Sequence, residues 1–468
     1  MKLLSGALVV MLGLVAFACS GDDGKDGAQG PAGAEGPKGP KGDTGPAGPK
    51  GEKGDTGDQG PAGIGAGGDG SGSVPEGTLN ASCMKPCHTF TGIVEQWKTS
   101  RHYATYVANL GGEEVDSWTG AKACGNCHAA DGPQLRLEEN VKYNGTTPPT
   151  DLKHGQLNYK DTTAGGAVKE IVYNGHATVA QVGCNTCHDA LNHDPHETGD
   201  DYVPGAFPLR YPVGASDYAI LEKSSAVGTS DGTHANTYRA GNACMWCHKS
   251  RKDVTNYIVT ANSITSTTWG PHEGPHADIY TGIGGYHYPP KAYGTSTHAD
   301  IMKVPNGCVT CHMSPVAENG GIGDHSFYPK QAVCNGCHGS SNTSFDINGG
   351  QTRIKSELQT LRLALNGGSP LANPPVAPPV AGVGPLLSRD GVNPLSPTDL
   401  SDTDFASDNT LPQAKGVTIT APIAGALYNY LLIARGSAYG VHNPKYTEQL
   451  IYDSLVGIGA TPGFTRPQ

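Results

Sequence analysis

The sequence predicts a rod-like N-terminal segment followed by a larger region of mostly irregular coil with short helices and little strand. Three observations predict this fold class. Glycine occurs at every third position near the N-terminus, which is the pattern of a triple helix of polyproline II chains. The 468 residues include 67 glycines and 35 prolines but are only 36% hydrophobic and 7% aromatic, so an ordinary apolar core is hard to build. Twelve of the 13 cysteines occur in pairs, and a histidine follows each pair.

An apolar stretch opens the chain. Lys2 precedes the run from Leu3 to Ala18, as in a secretory signal peptide. Cys19 ends that run, is the one cysteine outside the pairs, and lies in a sequence that resembles a bacterial lipoprotein cleavage box. Residues 1–19 are therefore predicted to be a lipoprotein-type signal peptide, with lipidation at Cys19 as the membrane anchor. The alternatives are an uncleaved membrane anchor and ordinary cleavage near Ala18.

Residues 20–64 form the predicted collagen-like stalk. Fifteen glycines at period three run from Gly21 to Gly63, and prolines and oppositely charged residues fill many of the positions between them. Only glycine fits at the crowded axis of three polyproline-like strands. The segment is predicted to trimerise, and the alternative is a single solvated chain that acts as a semi-rigid spacer. Residues 65–80 are a Gly/Ser-rich linker.

Residues 81–350 contain the paired cysteines in one repeated motif. Five copies read Cys-x-x-Cys-His, and the first copy has one additional residue between its cysteines. The members are Cys83/Cys87/His88, Cys124/Cys127/His128, Cys184/Cys187/His188, Cys244/Cys247/His248, Cys308/Cys311/His312 and Cys334/Cys337/His338. This is the attachment sequence of c-type haem, in which two thiols bond the porphyrin and the histidine ligates its iron. The predicted cofactors are therefore six covalently attached c-type haems.

Zinc sites and disulfides are the alternatives for paired cysteines. A structural zinc site needs two Cys-x-x-Cys halves per metal and no histidine fixed to the second cysteine. A disulfide needs no histidine at all. Because a histidine follows every pair in a chain with only 18 histidines, the pattern favours haem. Six large apolar porphyrins would also supply interior surface that the composition lacks.

A second set of histidines is predicted to provide the sixth, distal iron ligands. Four of them precede the first cysteine of the following motif by eight to ten residues: His176, His234, His298 and His325. Three more candidates are His102 on a predicted helix from Ile93 to Val107, His272 in a loop, and His442 just before a helix. For each of them the alternative is a surface histidine.

The C-terminal part is predicted to contain three helices. Apolar residues at helical spacing predict the first in residues 351–366. A proline-rich linker without a clear element covers residues 367–413. Residues 414–468 are predicted to form two helices that pack on the haem region. They run from about Ile423 to Ala434, and from a cap at Asn443 to about Val456.

With these motifs, the chain resembles the multihaem c-type cytochromes that metal-reducing bacteria display on their outer surface. The resemblance covers about Ser82 to Ile458 and rests on the six motifs. The stretch from Gly440 to Tyr446 also resembles the C-terminal His-bearing helix of multihaem cytochromes related to nitrite reductase and hydroxylamine oxidoreductase. The resemblance implies a hexahaem fold in which coil wraps stacked, low-spin haems, each held by two histidines, that pass electrons along a chain.

The predicted function is extracellular electron transfer along six haems to an external acceptor or a partner cytochrome. One alternative is a reductase of nitrite, hydroxylamine or a sulfur oxyanion, which needs one haem with an open iron position. Nitrite-reducing relatives mark that haem with lysine in place of the proximal histidine, whereas all six motifs here end in histidine. A further alternative is a subunit of a cytochrome filament.

The expected partners follow from the same reasoning. They are other cytochromes or porin–cytochrome conduits, mineral or electrode acceptors, and the membrane that holds the lipid at Cys19. The expected location is the outer membrane, with the protein facing the cell surface, and the alternative is the periplasm. The net charge of −11 argues against nucleic acid as a partner.

Overall fold

The structure is a computed structural model of the chain. It describes residues 92–103, 127, 159–161, 169–171, 182–188, 209, 238–245, 247–250, 252, 254–264, 266, 269–300, 302–316, 322–340, 342–367, 385–390, 392–395, 402, 404–411 and 418–468. The signal peptide, the stalk, the linker that follows it and the first haem motif lie outside these residues. The predictions made for them stay predictions.

Helices are short except in the C-terminal part of the chain. The described helices are α1 (Ile93–Lys98), α2 (Cys184–Cys187), α3 (Asn242–Met245), α4 (Val254–Tyr257), α5 (His276–Thr281), α6 (Cys308–His312), α7 (Gln331–His338), α8 (Gly350–Leu365), α9 (Ala421–Gly436) and α10 (Pro444–Gly457). Single 3-10 turns cover Arg239–Gly241, Thr297–Ala299 and Ile347–Gly349. Within the described ranges, no helix is long and apolar enough to cross a membrane.

The strands are two or three residues long. They are β1 (Tyr159–Asp161), β2 (Lys169–Ile171), β3 (Ala261–Ser263), β4 (Pro315–Val316), β5 (Ile322–Gly323), β6 (Leu387–Ser388), β7 (Asn409–Thr410) and β8 (Thr418–Thr420). They form four two-stranded sheets, β1–β2, β3–β8, β4–β5 and β6–β7, and every pair is antiparallel. For the described part of the chain, the prediction of short helices with little strand is confirmed.

The three C-terminal helices surround an apolar core. Helix α9 is buried from Ala424 to Gly436, and a helix that is apolar on all sides has to be covered on all sides. Helices α8 and α10 pack against it and bury their own apolar stripes. Their core residues include Ile354, Leu358 and Leu361 of α8, Leu427, Tyr428 and Leu431 of α9, and Leu450, Ile451 and Leu455 of α10. This region therefore has an ordinary core made of side chains, which the low average hydrophobicity did not predict.

The predicted boundaries of the last two helices are close to the observed ones. Helix α9 begins at Ala421, slightly before the predicted start, because Pro422 fits a first turn where no backbone N–H is needed. It ends before Ser437, which has a left-handed φ of 52°. Asn443 caps α10 as predicted, and its Oδ1 accepts a hydrogen bond from the Tyr446 backbone N–H at 3.3 Å.

Part of the segment that was predicted to be a linker without a clear element is packed into the core. Strands β6 and β7 pair with Leu387 opposite Thr410. Leu386, Leu387 and Phe405 are inaccessible to solvent and contribute to the core. The prolines dominate the composition of this segment, but a few well-placed apolar side chains decide its packing.

The predicted helix from Ile93 to Val107 is interrupted after α1. The Thr99 hydroxyl donates a hydrogen bond to a carbonyl of the preceding turn at 2.6 Å. Ser100 Oγ accepts one from the Tyr103 backbone N–H at 3.2 Å. Short hydroxyl side chains compete with the helical backbone in this way. Ser100 therefore caps a new helical turn, and that turn carries His102.

Glu357 of α8 is a buried acid that faces α10. Its side chain is almost inaccessible, and its Oε2 atom has no hydrogen-bond partner. Arg353 lies 3.9 Å from Glu357 but makes its closer contact, of 2.6 Å, with Glu448 of α10. Burial, and secondly the charge of Glu448, raise the pKa of Glu357 to about 7.

We expect Glu357→Gln to weaken the pH dependence of stability. The folded protein keeps this proton up to about pH 7, whereas an unperturbed glutamate releases it near its ordinary value of 4.5. The free energy of unfolding should therefore fall as the pH rises through that interval, by about 1–3 kcal/mol. Melting temperatures compared near pH 5 and near pH 8 should show this fall for the wild type and for the exposed neighbour variant Ser356→Ala, but not for Glu357→Gln. An equal fall in all three proteins would contradict the assignment.

Candidate haem sites

Four motifs have both cysteines and the histidine among the described residues, and each of these motifs is built on one helical turn. The second cysteine follows the first by three residues, so the two side chains lie on the same face of the turn. The motif histidine continues that turn. The backbone N–H groups of His188 and His248 each donate to the carbonyl of the first cysteine of their motif at 2.9 Å. Each turn therefore presents two thiols and an imidazole together.

No disulfide joins the described cysteines. They are Cys127, Cys184, Cys187, Cys244, Cys247, Cys308, Cys311, Cys334 and Cys337. In the described part of the chain, no group of three or more His, Cys, Asp and Glu side chains is arranged to hold a metal ion. A structural zinc site would need four such ligands. Cys19, Cys83, Cys87 and Cys124 lie outside the described residues, as do His88 and His128.

Each of the four described proximal histidines has a predicted distal histidine beside it. The ring centroids are 5.9 Å apart for His102 and His248, 6.3 Å for His188 and His325, 5.9 Å for His298 and His338, and 6.2 Å for His312 and His442. A ring nitrogen lies about 2 Å from a bound first-row metal and about 1 Å from its own ring centre, so imidazoles on opposite sides of one metal have centroids roughly 6 Å apart. All four separations agree with that value.

Helix α1 connects two of these pairs. The Trp97 indole N–H donates to the carbonyl of Val182, just before the motif that contains His188, at 3.2 Å. Gln96 Oε1 accepts a hydrogen bond from the backbone N–H of His325 at 3.0 Å. The segment that carries His102 is therefore attached to both partners of the His188 pair.

Backbone carbonyls fix the tautomer of three of these imidazoles. The Nδ1 atoms of His298, His312 and His325 lie 2.5, 2.9 and 2.8 Å from the carbonyl oxygens of Val441, Phe327 and Gly323. A carbonyl only accepts, so each Nδ1 carries the proton and each Nε2 keeps its lone pair. This is the form in which histidine ligates a metal, and the carbonyl also increases the basicity of the ligand.

Desolvation favours the neutral form of three predicted distal imidazoles. It lowers the pKa of His102 to about 4 and that of His442 to about 3, and neighbouring histidines add to both shifts. The pKa of His325 is also lowered, again mainly by burial. Because only neutral imidazole binds a metal, these side chains are ready to act as ligands at physiological pH.

Buried polar atoms without hydrogen-bond partners are concentrated around the motifs. Among the described residues they include Tyr280 Oη, Ser296 Oγ, Ser314 Oγ, both amide atoms of Gln331 and Asn335 Oδ1. Asn335 lies within the last motif and Ser314 directly follows the motif before it. Buried polar atoms normally have hydrogen-bond partners. A cluster of buried polar atoms without partners is therefore typical of a site that binds a further polar group. Haem has two propionates, and together with the motif thiols and the neutral imidazoles these residues fit a c-type haem.

Two of the motifs touch each other. The thiols of Cys244 and Cys308 are hydrogen-bonded to one another. Two glycines make this approach feasible: a Cβ on Gly241 would lie 2.8 Å from the Asn306 carbonyl oxygen, and Gly307 has a left-handed φ of 53°. Haems on these two motifs would therefore be direct neighbours.

Two further histidines, His272 and His276, are close in the sequence but lie in different surroundings. His272, a predicted distal ligand, lies at the surface with a side chain that is 37% exposed and an Nδ1 atom 2.9 Å from the Glu273 carbonyl oxygen. His276, which was not predicted as a ligand, lies with its ring 5.6 Å from His248 and 5.0 Å from His442. The sequence contains one signal for His276: the tripeptide Gly-Pro-His occurs twice, ending once at His272 and once at His276. His176 and His234 lie outside the described residues, and those assignments stay predictions.

Comparisons with known proteins give one distant similarity. No protein-family model matches the sequence, and no curated protein matches it. A solved structure, described as the crystal structure of the outer cell wall cytochrome OcwA, is similar with 17% identity and a TM-score of 0.36. The similarity covers 80% of this chain and 51% of that chain, so the chain matches about half the length of that cytochrome.

Proposed function

We propose that the chain carries six covalently attached c-type haems and passes electrons along them to an external acceptor or a partner cytochrome. The observation that supports this most directly is the set of four imidazole pairs at metal-spanning separations of 5.9 to 6.3 Å. Each pair joins a motif histidine to a histidine from a different part of the chain. An arrangement of that kind is expected around irons that have two imidazole ligands.

The motif residues are proposed to attach the haems and to provide the proximal ligands. The proposed distal ligands opposite His248, His188, His338 and His312 are His102, His325, His298 and His442, respectively. His176, His234 and His272 remain the proposed candidates for the haems of the first two motifs, which lie largely outside the described residues.

This ligand set favours electron exchange over substrate binding. A haem iron with two imidazole ligands exchanges electrons at low potential and has no open position for a substrate. The protein contributes by holding both ligands firmly. Backbone carbonyls orient His298, His312 and His325, and His442 directly precedes the cap of a helix that is packed into the C-terminal core.

We also propose that the protein is exported and acts at the cell surface. This part of the proposal rests on the apolar N-terminus, the lipidation sequence at Cys19 and the Gly-x-y series from Gly21 to Gly63. A lipid anchor and a stalk, trimeric or single-chain, would hold the haem region away from the outer membrane. Porin–cytochrome conduits, other cytochromes, minerals or electrodes are the proposed electron-transfer partners.

Haem stoichiometry tests the proposal directly. We expect a pyridine haemochrome assay and an intact-mass measurement on the purified holoprotein to give six haems per chain, matching the six motifs. The double variant Cys308→Ser/Cys311→Ser should lose one haem and keep the others. A count well below six, or bound zinc, would exclude the proposal.

Spin state and reoxidation test the function on the same sample. The electron paramagnetic resonance spectrum of the oxidised protein should contain low-spin signals only, and the dithionite-reduced protein should be reoxidised rapidly by a soluble ferric complex in anaerobic stopped flow. A high-spin signal that is altered by added nitrite or hydroxylamine would favour the reductase instead.

A further inference from the structure

His276 lies beside an imidazole pair that already looks complete. It is the first residue of α5, and its ring centroid is 5.6 Å from that of the motif histidine His248. The proposed distal ligand His102 is 5.9 Å from the same ring. Both separations are close to the roughly 6 Å expected across one metal. His248 thus has two neighbours at ligand distance, although its iron would have only one free axial position.

The contact between His276 and His442 is of another kind. Their centroids are 5.0 Å apart and their ring planes are nearly perpendicular, at 71°. This separation is too short for a metal between the rings and is typical of edge-to-face packing. His442 already lies 6.2 Å from its own motif histidine, His312. His276 can therefore reach the proposed iron site of His248 as a ligand. The neighbouring proposed site, that of His312, already has His442.

The backbone ties His276 directly to the motif of His248. The Ala277 backbone N–H donates to the His248 carbonyl at 2.9 Å, and Asp278 Oδ2 accepts from the Ser250 backbone N–H at 2.6 Å. The start of α5 and the end of the motif are thus one connected unit. His102 comes from a separate segment near α1, so the two candidate ligands do not depend on the same contacts.

The His276 ring also has the chemistry of a ligand. Its Nδ1 is buried without a hydrogen-bond partner. Two glycines border the ring: a Cβ on Gly274 would lie 3.9 Å from its Nε2 and one on Gly436 would lie 3.9 Å from its Nδ1. The absence of side chains at both positions leaves room for the ring to turn.

We propose that His276 is an alternative sixth ligand to the iron held by His248. The inference rests on the proposed haem function. His102 and His276 compete for one axial position, and either of them alone is sufficient to keep that iron six-coordinate. This site therefore differs from the His188 site, where His325 is the one histidine among the described residues that lies opposite the motif histidine.

Single and double variants of the holoprotein test the proposal. Electron paramagnetic resonance should show no high-spin haem in His102→Ala or in His276→Ala, and one high-spin haem of the six in the double variant. The matched control, His325→Ala, should produce one high-spin haem as a single variant. In His102→Ala the low-spin signal should also shift, because the His248 ring plane makes 57° with His102 but 32° with His276.

Two outcomes would overturn the inference. One is a high-spin haem in His102→Ala alone, and the other is a double variant that remains fully low-spin. Haem content measured on the same samples separates this result from the proposed function, because a wild type with fewer than six haems would refute the function itself. Phenylalanine variants at both positions, which keep a ring of similar size, repeat the test if the alanine variants do not accumulate.

Discussion

Replacing Asn443 with alanine is expected to give partial high-spin character to two haems at once, those proposed on His312 and His338. Asn443 is inaccessible to solvent and lies next to His442, the proposed ligand opposite His312. Its Oδ1 accepts hydrogen bonds from the backbone N–H groups of Tyr446 at 3.3 Å and of Ser296 at 2.9 Å. One side chain thus caps the helix behind His442 and holds the loop that carries His298.

The two proposed distal ligands are also joined through the backbone. His298 Nδ1 donates to the carbonyl of Val441, the residue before His442. Asn443 Nδ2 donates to the carbonyl of Tyr280 at 3.3 Å, which fixes the same corner to α5. Loss of an N-cap costs about 1 kcal/mol, and each buried polar group left without a partner costs about 1–3 kcal/mol more. A ligand held by such contacts should then leave its iron for part of the time.

Counting high-spin signals measures this effect. Asn443→Asp keeps the Oδ1 acceptor for both backbone N–H groups but sets a second acceptor oxygen against the Tyr280 carbonyl, so it should retain more low-spin haem than Asn443→Ala. Ser454→Ala, which removes a buried hydroxyl from the same helix, controls for general loosening and should remain low-spin. If Asn443→Ala affects one haem only, the side chain does not couple the two sites. The haem count should stay at six in all variants, since the cysteines are unchanged.

The sequence is sufficient to predict the parts of the site that depend on local spacing. Cys-x-x-Cys-His is a local pattern, so the motif turns could be predicted at Cys184, Cys244, Cys308 and Cys334 without the fold. His442 could be predicted because the Asn443 cap and Pro444 place it at a helix start. Its environment, however, comes from His312 and from the loop before His298, which are remote in the sequence.

The pairing of histidines could not be predicted from the sequence. A fixed offset before the next motif singled out His298 and His325, but His298 lies opposite the histidine of the last motif, and His325 lies opposite His188, far back in the chain. His276 was not predicted as a ligand, because Gly-Pro-His occurs twice and nothing in the sequence distinguishes His276 from His272, which was chosen instead. The helix that begins at His276 depends on the Ala277 contact with the His248 carbonyl, which is a tertiary interaction.

The C-terminal core shows the limit of an argument from average composition. A chain with 36% hydrophobic residues was expected to depend on porphyrins for its interior. The apolar residues are instead concentrated in α8, α9 and α10, where they cover one another. The haem motifs of the described part therefore lie next to a core with its own stability, and that core positions His442.

Replacing Arg362 with leucine is expected to give the largest loss of stability among substitutions away from the motifs. Arg362 and Asp408 are both inaccessible to solvent and form a two-pronged ion pair at 2.7 and 2.8 Å. Arg362 also donates to the Asp402 carbonyl at 2.8 Å. Removing one partner of such a pair leaves a buried carboxylate without its main counter-charge, which costs about 3–5 kcal/mol. Arg389 Nε lies 3.2 Å from the Asp408 carboxylate and still compensates part of its charge in the variant. The expected loss is therefore near the lower end of this range.

The midpoint of urea unfolding, followed by circular dichroism of the helices, measures this loss. Arg389→Leu is the matched control, because Arg389 contacts the same carboxylate from a partly exposed position; it should cost no more than about 1 kcal/mol. Adding Asp408→Asn to Arg362→Leu should recover part of the loss, since the buried charge is then removed. If Arg362→Leu and Arg389→Leu lower stability equally, burial of the pair is not what holds β6 and β7 on the core. The haem spectrum should be unchanged in folded samples of every variant, because this ion pair stabilises the helices behind His442 without contacting a proposed ligand.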